Sequence, residues 1–226
     1  KSIRCYIVIS ISDLGSLLME FTEATIGELD NLLSTVRSVR RRIDFDREVE
    51  DKVLMSCIDI AVQAPTGRGD EGWRFLVVKN RETIVKLADI YRDILLEFVE
   101  QIGMPIKSSH QALIDRLGDF PAMIFVCKDG IPDKTFASQT AYFGSILPAA
   151  WSLMIALRAR GIGCTWTTLL SARQDEVADV LRIPDSVRQV IMLPVGYSKG
   201  AVLRVAQRKK AAEVSFLDAW GNSFEL

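Results

Sequence analysis

The densest chemistry-bearing run in the sequence is Arg37-Ser38-Val39-Arg40-Arg41-Arg42, which gathers four guanidiniums and one hydroxyl within six residues. Arginine forks match phosphate or carboxylate oxygens two at a time, and a serine hydroxyl adds a neutral donor, so the run suits an anion. The same composition also describes a solvated basic face or a nucleic-acid patch. A second basic group, Arg208-Lys209-Lys210, stands near the other end of the chain. Convergence of the two groups on one phosphate would make them a site.

Two other stretches could present a ligand with close backbone or hydroxyl donors. In Ala64-Pro65-Thr66-Gly67-Arg68-Gly69-Asp70-Glu71-Gly72-Trp73 a proline stop leads into a glycine-rich turn, where missing side chains let backbone approach a planar molecule. An ordinary helix-to-strand connection would use the same glycines. In Gly161-Ile162-Gly163-Cys164 and the residues after it, Thr165, Thr167 and Thr168 lie on or beside a buried strand and could donate to a ligand, although threonine is also a good strand former. No hydrolytic set is present: there is one histidine, His110, and no HExxH, GxSxG, GxGxxG or Walker loop. His110 follows Ser108 and Ser109 in a polar stretch and reads as a loop residue without a partner. If the protein is an enzyme, the difficult chemistry therefore falls to a bound cofactor.

The whole chain sets the frame. With 226 residues, a net charge of -1 and 49% hydrophobic residues, it can bury one sizeable core and gives no global electrostatic reason to bind nucleic acid or an anionic membrane. Cys5, Cys57, Cys127 and Cys164 form no CxxC or Cys/His spacing, so we expect no metal site, no disulfide framework, and a reducing, cytoplasmic setting.

The elements that must position these groups follow from periodicity. Residues 1–18 are too broken by Ser10, Ser12 and Asp13 for a membrane span, and are expected to be an extension outside a single domain over 19–226. Thr25 to Val39 and Val49 to Ala64 carry helical apolar spacing, the second stopped by Pro65. A strand from Phe75 to Val78, a helix from Asn80 to Gly103 and a buried strand from Ala122 to Cys127 follow. Gln139 to Arg160 is apolar on nearly every face and must run through the core or a subunit interface, with Pro148 marking a kink or a late start. A strand from Cys164 to Thr168, a short helix from Val177 to Leu181 and a strand from Val190 to Tyr197 complete an α/β or α+β pattern.

The order and spacing of these pieces, from about Leu29 to Gly221, resemble the FMN-dependent nitroreductase family. Arg37-Ser38-Val39-Arg40 resembles its opening phosphate motif. Ala64-Pro65-Thr66-Gly67 with Trp73-Arg74-Phe75 resembles its flavin turn, and Tyr142-Phe143-Gly144-Ser145-Ile146 through Cys164 its central helix and glycine exit. Leu193-Pro194-Val195-Gly196-Tyr197, Arg208-Lys209-Lys210 and Ala219-Trp220-Gly221 resemble its carboxy-terminal pattern. The resemblance implies an α+β nitroreductase-like fold, a mixed central sheet flanked by helices, and a long buried central helix at the interface of a homodimer.

It further implies FMN as cofactor, NADH or NADPH as electron donor, and a small electron-poor acceptor such as a nitroaromatic, quinone or activated alkene. Carried over position by position, Arg37, Ser38 and Arg40 with Arg208 would hold the flavin phosphate. Pro65, Thr66 and Gly67 would lie along the ring, and Thr167 and Thr168 would contact it from the other stretch. The family often has a second arginine where Val36 stands, so the phosphate clamp here is expected to lean on Arg41 or Lys209. The segment around Tyr197 is also similar to iodotyrosine deiodinases of the same superfamily. They place a Glu and a Tyr where this chain has Ile94 and Phe98, and those two with Arg68 are the expected walls of an apolar substrate pocket. A specialised reductive dehalogenase, flavin-fragmenting enzyme or oxidase, or a flavin-binding dimer without turnover, are the alternatives.

Overall fold

The computed structural model describes residues 6–9, 17–20 and 22–225, which divide into two compact units: 1–35 with 203–226, and 36–202. In the first unit, β1 (Tyr6–Ile9) pairs antiparallel with β2 (Leu17–Glu20), Tyr6 opposite Glu20 and Ile9 opposite Leu17. Of the extension expected over 1–18, residues 1–5 and 10–16 lie outside the described residues. Helix α1 (Glu23–Ser34) starts at Thr22, whose hydroxyl accepts from the Thr25 N–H at 3.2 Å. It ends five residues before the expected Val39, capped by Thr35, whose backbone leaves helical geometry at φ −107° and ψ 5° while its hydroxyl donates to the Asn31 carbonyl at 2.6 Å.

Among the described residues, the second unit holds the remaining α-helices and strands. In chain order these are α2 (Asp51–Ala61), β3 (Trp73–Val78), α3 (Arg81–Ile102), α4 (Ser108–Arg116), β4 (Ala122–Asp129), α5 (Phe136–Gly144), α6 (Leu147–Ala159), β5 (Ile162–Cys164), α7 (Gln174–Leu181) and β6 (Val187–Tyr197). The strands form one sheet in the order β3-β4-β6-β5 with every ladder antiparallel. Its parallel component is a single bridge between Ser38 and Cys164 at the β5 edge. The architecture is α+β, with helices packed on a continuous apolar sheet.

Side-chain alternation explains the layers. Ala122, Ile124 and Val126 of β4 join Leu54, Cys57 and Ala61 of α2 and Leu153, Met154 and Leu157 of α6 in one core. Met123, Phe125 and Cys127 point to the opposite face and are buried as well, so β4 is covered on both sides and reads as a continuous apolar run. Helix α3 buries Ile84, Leu87, Ala88, Tyr91, Ile94 and Leu95 at helical spacing. Its ends are fixed locally: the Asn80 side chain accepts from the Thr83 N–H at 3.0 Å, and Gly103 closes it at φ 61°.

The long apolar segment is two helices rather than one. α5 ends at Gly144, and α6 begins at Leu147 with Pro148 in its first turn, where a missing N–H costs nothing. Residues 136–159 are long and apolar enough to cross a membrane, yet half of that window is buried inside the fold. The polar stretch around His110, expected as a loop, is helical. It forms α4, with His110 in the first turn, because Ala112 and Leu113 pack into the interior.

Candidate functional site

Two glycines build the shelf on which the arginine run lies. Gly163 of β5 and Gly196 of β6 face each other in register. A Cβ at Gly163 would stand 2.9 Å from both Val39 and Ile43, and one at Gly196 would stand 2.6 Å from Ile43. Neither position has room for a side chain, so the chain from Ser38 to Asp44 lies directly on the sheet edge. Its backbone is pinned there by Val39 N–H to Cys164 O at 2.9 Å and by Asp44 N–H to Tyr197 O at 2.8 Å. Val39 and Ile43 point inward and are buried, which leaves Ser38 exposed and Arg40 half-buried on the outer side.

The expected strand from Cys164 to Thr168 is shorter than its sequence suggested. β5 stops at Cys164 because the Thr165 hydroxyl, fully buried, donates to the Val39 carbonyl at 3.0 Å and draws the chain toward the arginine segment. Thr167 rejoins the sheet through reciprocal bonds with Met192 at 3.1 and 2.9 Å, and Thr168 is exposed. Tyr91 of α3 stands against Thr167 and Arg40. Burial pushes its phenol pKa up, opposed by the Thr167 hydrogen bond and the Arg40 charge. Burial likewise lowers the pKa of Arg40, whose Nε is buried without a hydrogen-bond partner. A buried, unpartnered guanidinium nitrogen is costly and is the kind of group a ligand acceptor would satisfy.

The structure thus brings Ser38, Arg40, Thr165 and Thr167 together and adds Tyr91. Arg37 turns back to the Val36 carbonyl at 2.7 Å, and Arg41 donates to the Ser108 carbonyl of α4. Arg208 belongs to the unit formed by 1–35 and 203–226, and is exposed.

The glycine turn sits elsewhere. Pro65 and Thr66 precede a 3-10 turn over Gly67–Gly69 in which Arg68 takes left-handed geometry at φ 59° and Gly69 follows at φ 69°. The Gly67 N–H donates to the Ser145 hydroxyl at 3.2 Å, just before α6 begins. Asp70 accepts from the Gly72 N–H at 3.0 Å and pairs with the buried Lys128 ammonium of β4. Hydrogen bonding from Lys128 holds the Asp70 carboxyl below its ordinary pKa. A Cβ at Gly72 would meet the Asp70 carboxylate at 2.8 Å and the Lys128 ammonium at 3.0 Å, so a side chain there would displace the two charged ends. Sequence reading missed Lys128, Ser145 and Tyr91, whose partners are distant in the chain; the Asp70-x-Gly72 spacing was the one local hint.

Arg40 and Arg41 also line a cavity of about 470 Å³ whose walls include neither Ser38 nor Thr167. The expected pocket residues Ile94 and Phe98 do not line it: Ile94 is buried in the α3 core face and Phe98 is half exposed. Among the described residues, no three His, Cys, Asp or Glu side chains gather as a metal ion would require.

The nitroreductase family profile matches residues 34–197. Over 181 residues the chain is 25% identical to a Methanothermobacter thermautotrophicus protein provisionally named NADH dehydrogenase/NAD(P)H nitroreductase, covering 77% of this chain and 81% of that one. It is 28% identical over 192 residues to an iodotyrosine deiodinase of Hydra vulgaris, covering 78% of this chain and 69% of that one. Among solved structures, an oxidized iodotyrosine deiodinase bound to FMN and 3-iodo-L-tyrosine superposes with a TM-score of 0.62 at 20% identity, covering 82% and 98% of the two chains.

Proposed function

Because the chain belongs to the nitroreductase family over residues 34–197, we propose that it is an FMN-dependent NAD(P)H oxidoreductase that passes hydride to a small electron-poor acceptor. The observation that carries this reading is the buried, unpartnered Nε of Arg40 beside the exposed Ser38 hydroxyl and Thr167, on a segment that Gly163 and Gly196 allow to lie against the sheet. These residues fit FMN. Arg37, Ser38 and Arg40 would hold its phosphate, and Thr167 and Thr168 would meet its polar edge. Pro65, Thr66 and Gly67 would bring a backbone N–H to the ring. When bound, FMN supplies reversible hydride chemistry that no side chain here can perform. The role of the protein is to bind and to orient it, and a positive group beside the ring would favour the negative charge of the reduced state.

We further propose that the working unit is a homodimer. Ser38 bridges Cys164 just beyond the carboxy-terminal end of α6, whereas Gly67 binds Ser145 just before its amino-terminal end. The 13 residues of α6 span about 20 Å between them. Leu147 and Trp151 leave an apolar stripe along the outer face of that helix, continued by Phe143 of α5. Two copies packed along this stripe with their α6 helices antiparallel would bring each glycine turn to the other copy's Ser38–Arg40 shelf. We place the protein in the cytoplasm, where the buried thiols of Cys57, Cys127 and Cys164 would stay reduced.

Steady-state kinetics test the reaction. Varying NADPH against a nitroaromatic or a quinone should give the parallel double-reciprocal lines of a two-step transfer, whereas intersecting lines, or no turnover with either donor, would count against it. The likeness to the Hydra deiodinase favours a second reading, reductive dehalogenation, which iodide release from 3-iodotyrosine would reveal.

A further inference from the structure

The cavity of about 470 Å³ beside Arg40 is cationic and apolar at once, and its size lies within the range of small-molecule pockets. Arg40, Arg41 and Arg116 bring three guanidiniums to its walls against a single carboxylate, Asp115. That carboxylate already accepts from the Gln111 amide at 2.7 Å. Asp119 holds Arg116 from outside the cavity, but Asp119 is shared with Arg81 at 2.9 Å, so one negative charge balances two positive ones. Arg41 ties the cavity to the first turn of α4, which carries no acidic residue and no side-chain cap, so the helix dipole adds to the positive field. Phe45, Ile106 and Ala112 supply apolar surface, and the Arg116 guanidinium lies over the Phe45 ring at 4.1 Å. A bare inorganic anion would satisfy the guanidiniums and leave those walls wet.

We infer that this cavity binds an organic oxyanion joined to a planar apolar body, and that this molecule is a redox partner of the enzyme, either an aromatic carboxylate acceptor or the phosphate-bearing part of the nicotinamide donor. Both sources offer the same chemistry: oxygens for the arginine forks and a flat face for Phe45. Arg40 links the cavity to the Ser38–Thr167 shelf, so a ligand held here abuts whatever the shelf holds. Calling the ligand a redox partner rests on the proposed function; the binding does not.

Calorimetric titration of the purified protein tests this with three probes: 4-nitrobenzoate, its neutral counterpart 4-nitrobenzamide, and adenosine 2′,5′-bisphosphate. The expected result is that at least one anionic probe binds about tenfold or more tighter than the amide, and that Arg116→Gln removes most of that preference. Preference for the benzoate identifies an acceptor, and preference for the bisphosphate identifies the donor. Ala112→Leu, which narrows the cavity without touching its charge, should weaken the preferred probe even if Arg116→Gln fails to fold. Equal binding of acid and amide with no binding of the bisphosphate overturns the inference, as does an anion preference unchanged in both folded variants. Anion binding without any NAD(P)H oxidation would sink the proposed function and leave the cavity assignment standing; turnover without anion preference would do the reverse.

Discussion

Lys128 and Asp70 form an ion pair in which the lysine side chain is only 4% exposed while its carboxylate partner is 54% exposed. The pair joins the central strand β4 to the glycine turn, and a side chain at Gly72 would push its two charged ends aside. The Tyr142 hydroxyl reinforces the strand end by donating between the Lys128 and Gly130 carbonyls, at 3.0 and 3.1 Å. A turn expected to carry a ring-contacting N–H is thereby anchored by a cation that cannot leave.

Asp70→Asn strands that buried cation and should cost about 2–3 kcal/mol in chemical denaturation. This is less than the loss for a fully buried pair, because the carboxylate side is half solvated. Removing both charges in Asp70→Asn with Lys128→Met should recover much of that loss, giving strong coupling in a double-mutant cycle. Additive effects would show that the two groups do not act as a pair. The pH dependence has a definite sign. Lys128 lowers the folded pKa of Asp70, so the pair's contribution is full above the ordinary Asp value, about 3.9, and is lost as pH falls through the lower folded value. As pH falls below about 3.9 the wild type should begin to lose this component, which Asp70→Asn lacks throughout.

Gly163→Ala should destabilise by about 1–3 kcal/mol, since its methyl group meets Val39, Ile43 and Ser198 at 2.9 Å and must lift the arginine segment from the sheet. Gly144→Ala meets nothing within 4 Å and serves as the control. Thermal melts with and without FMN check both. A Gly163→Ala protein that melts and binds flavin like the wild type would contradict the shelf.

Arg40→Met should separate stability from binding. Removing a half-buried guanidinium with an unpartnered Nε should leave the flavin-free protein as stable as before or slightly more so. FMN affinity should fall roughly 10- to 100-fold, as expected for a lost charge-assisted contact. Equal FMN retention in Arg40→Met and wild type by fluorescence titration would remove Arg40 from the phosphate site.

Trp151→Glu places a charge on the outer stripe of α6, where the native indole is 42% exposed in the single chain. If two copies meet there, light scattering should show the mass shift from dimer to monomer while circular dichroism stays unchanged. An unchanged dimer would move the interface elsewhere.

What the sequence disclosed was what neighbouring residues decide. Asn80 and Gly103 bounded α3 because a cap and a left-handed glycine act within one turn, and Pro148 marked the start of α6 for the same reason. The ordered motifs offered Ser38, Arg40 and Thr167 as candidates, and the structure places these three near one another. Helix α4 was hidden because its serine-rich first turn has weak helical preference, and the burial of Ala112 and Leu113 overrides it. Lys128 was hidden for a different reason. It follows a run read as an apolar strand ending at Cys127, and its carboxylate stands 58 residues earlier, a pairing that only the β3–β4 register creates.

The central claim is that the chain holds FMN and reduces it with a nicotinamide. An absorption spectrum of the purified protein, followed by anaerobic titration with NADH and NADPH, tests it most directly. The expected result is the near-ultraviolet and blue absorption bands of an oxidised flavin, at one FMN per chain, bleached by one equivalent of at least one donor. A colourless protein that neither takes up added FMN nor bleaches it with either donor would contradict it.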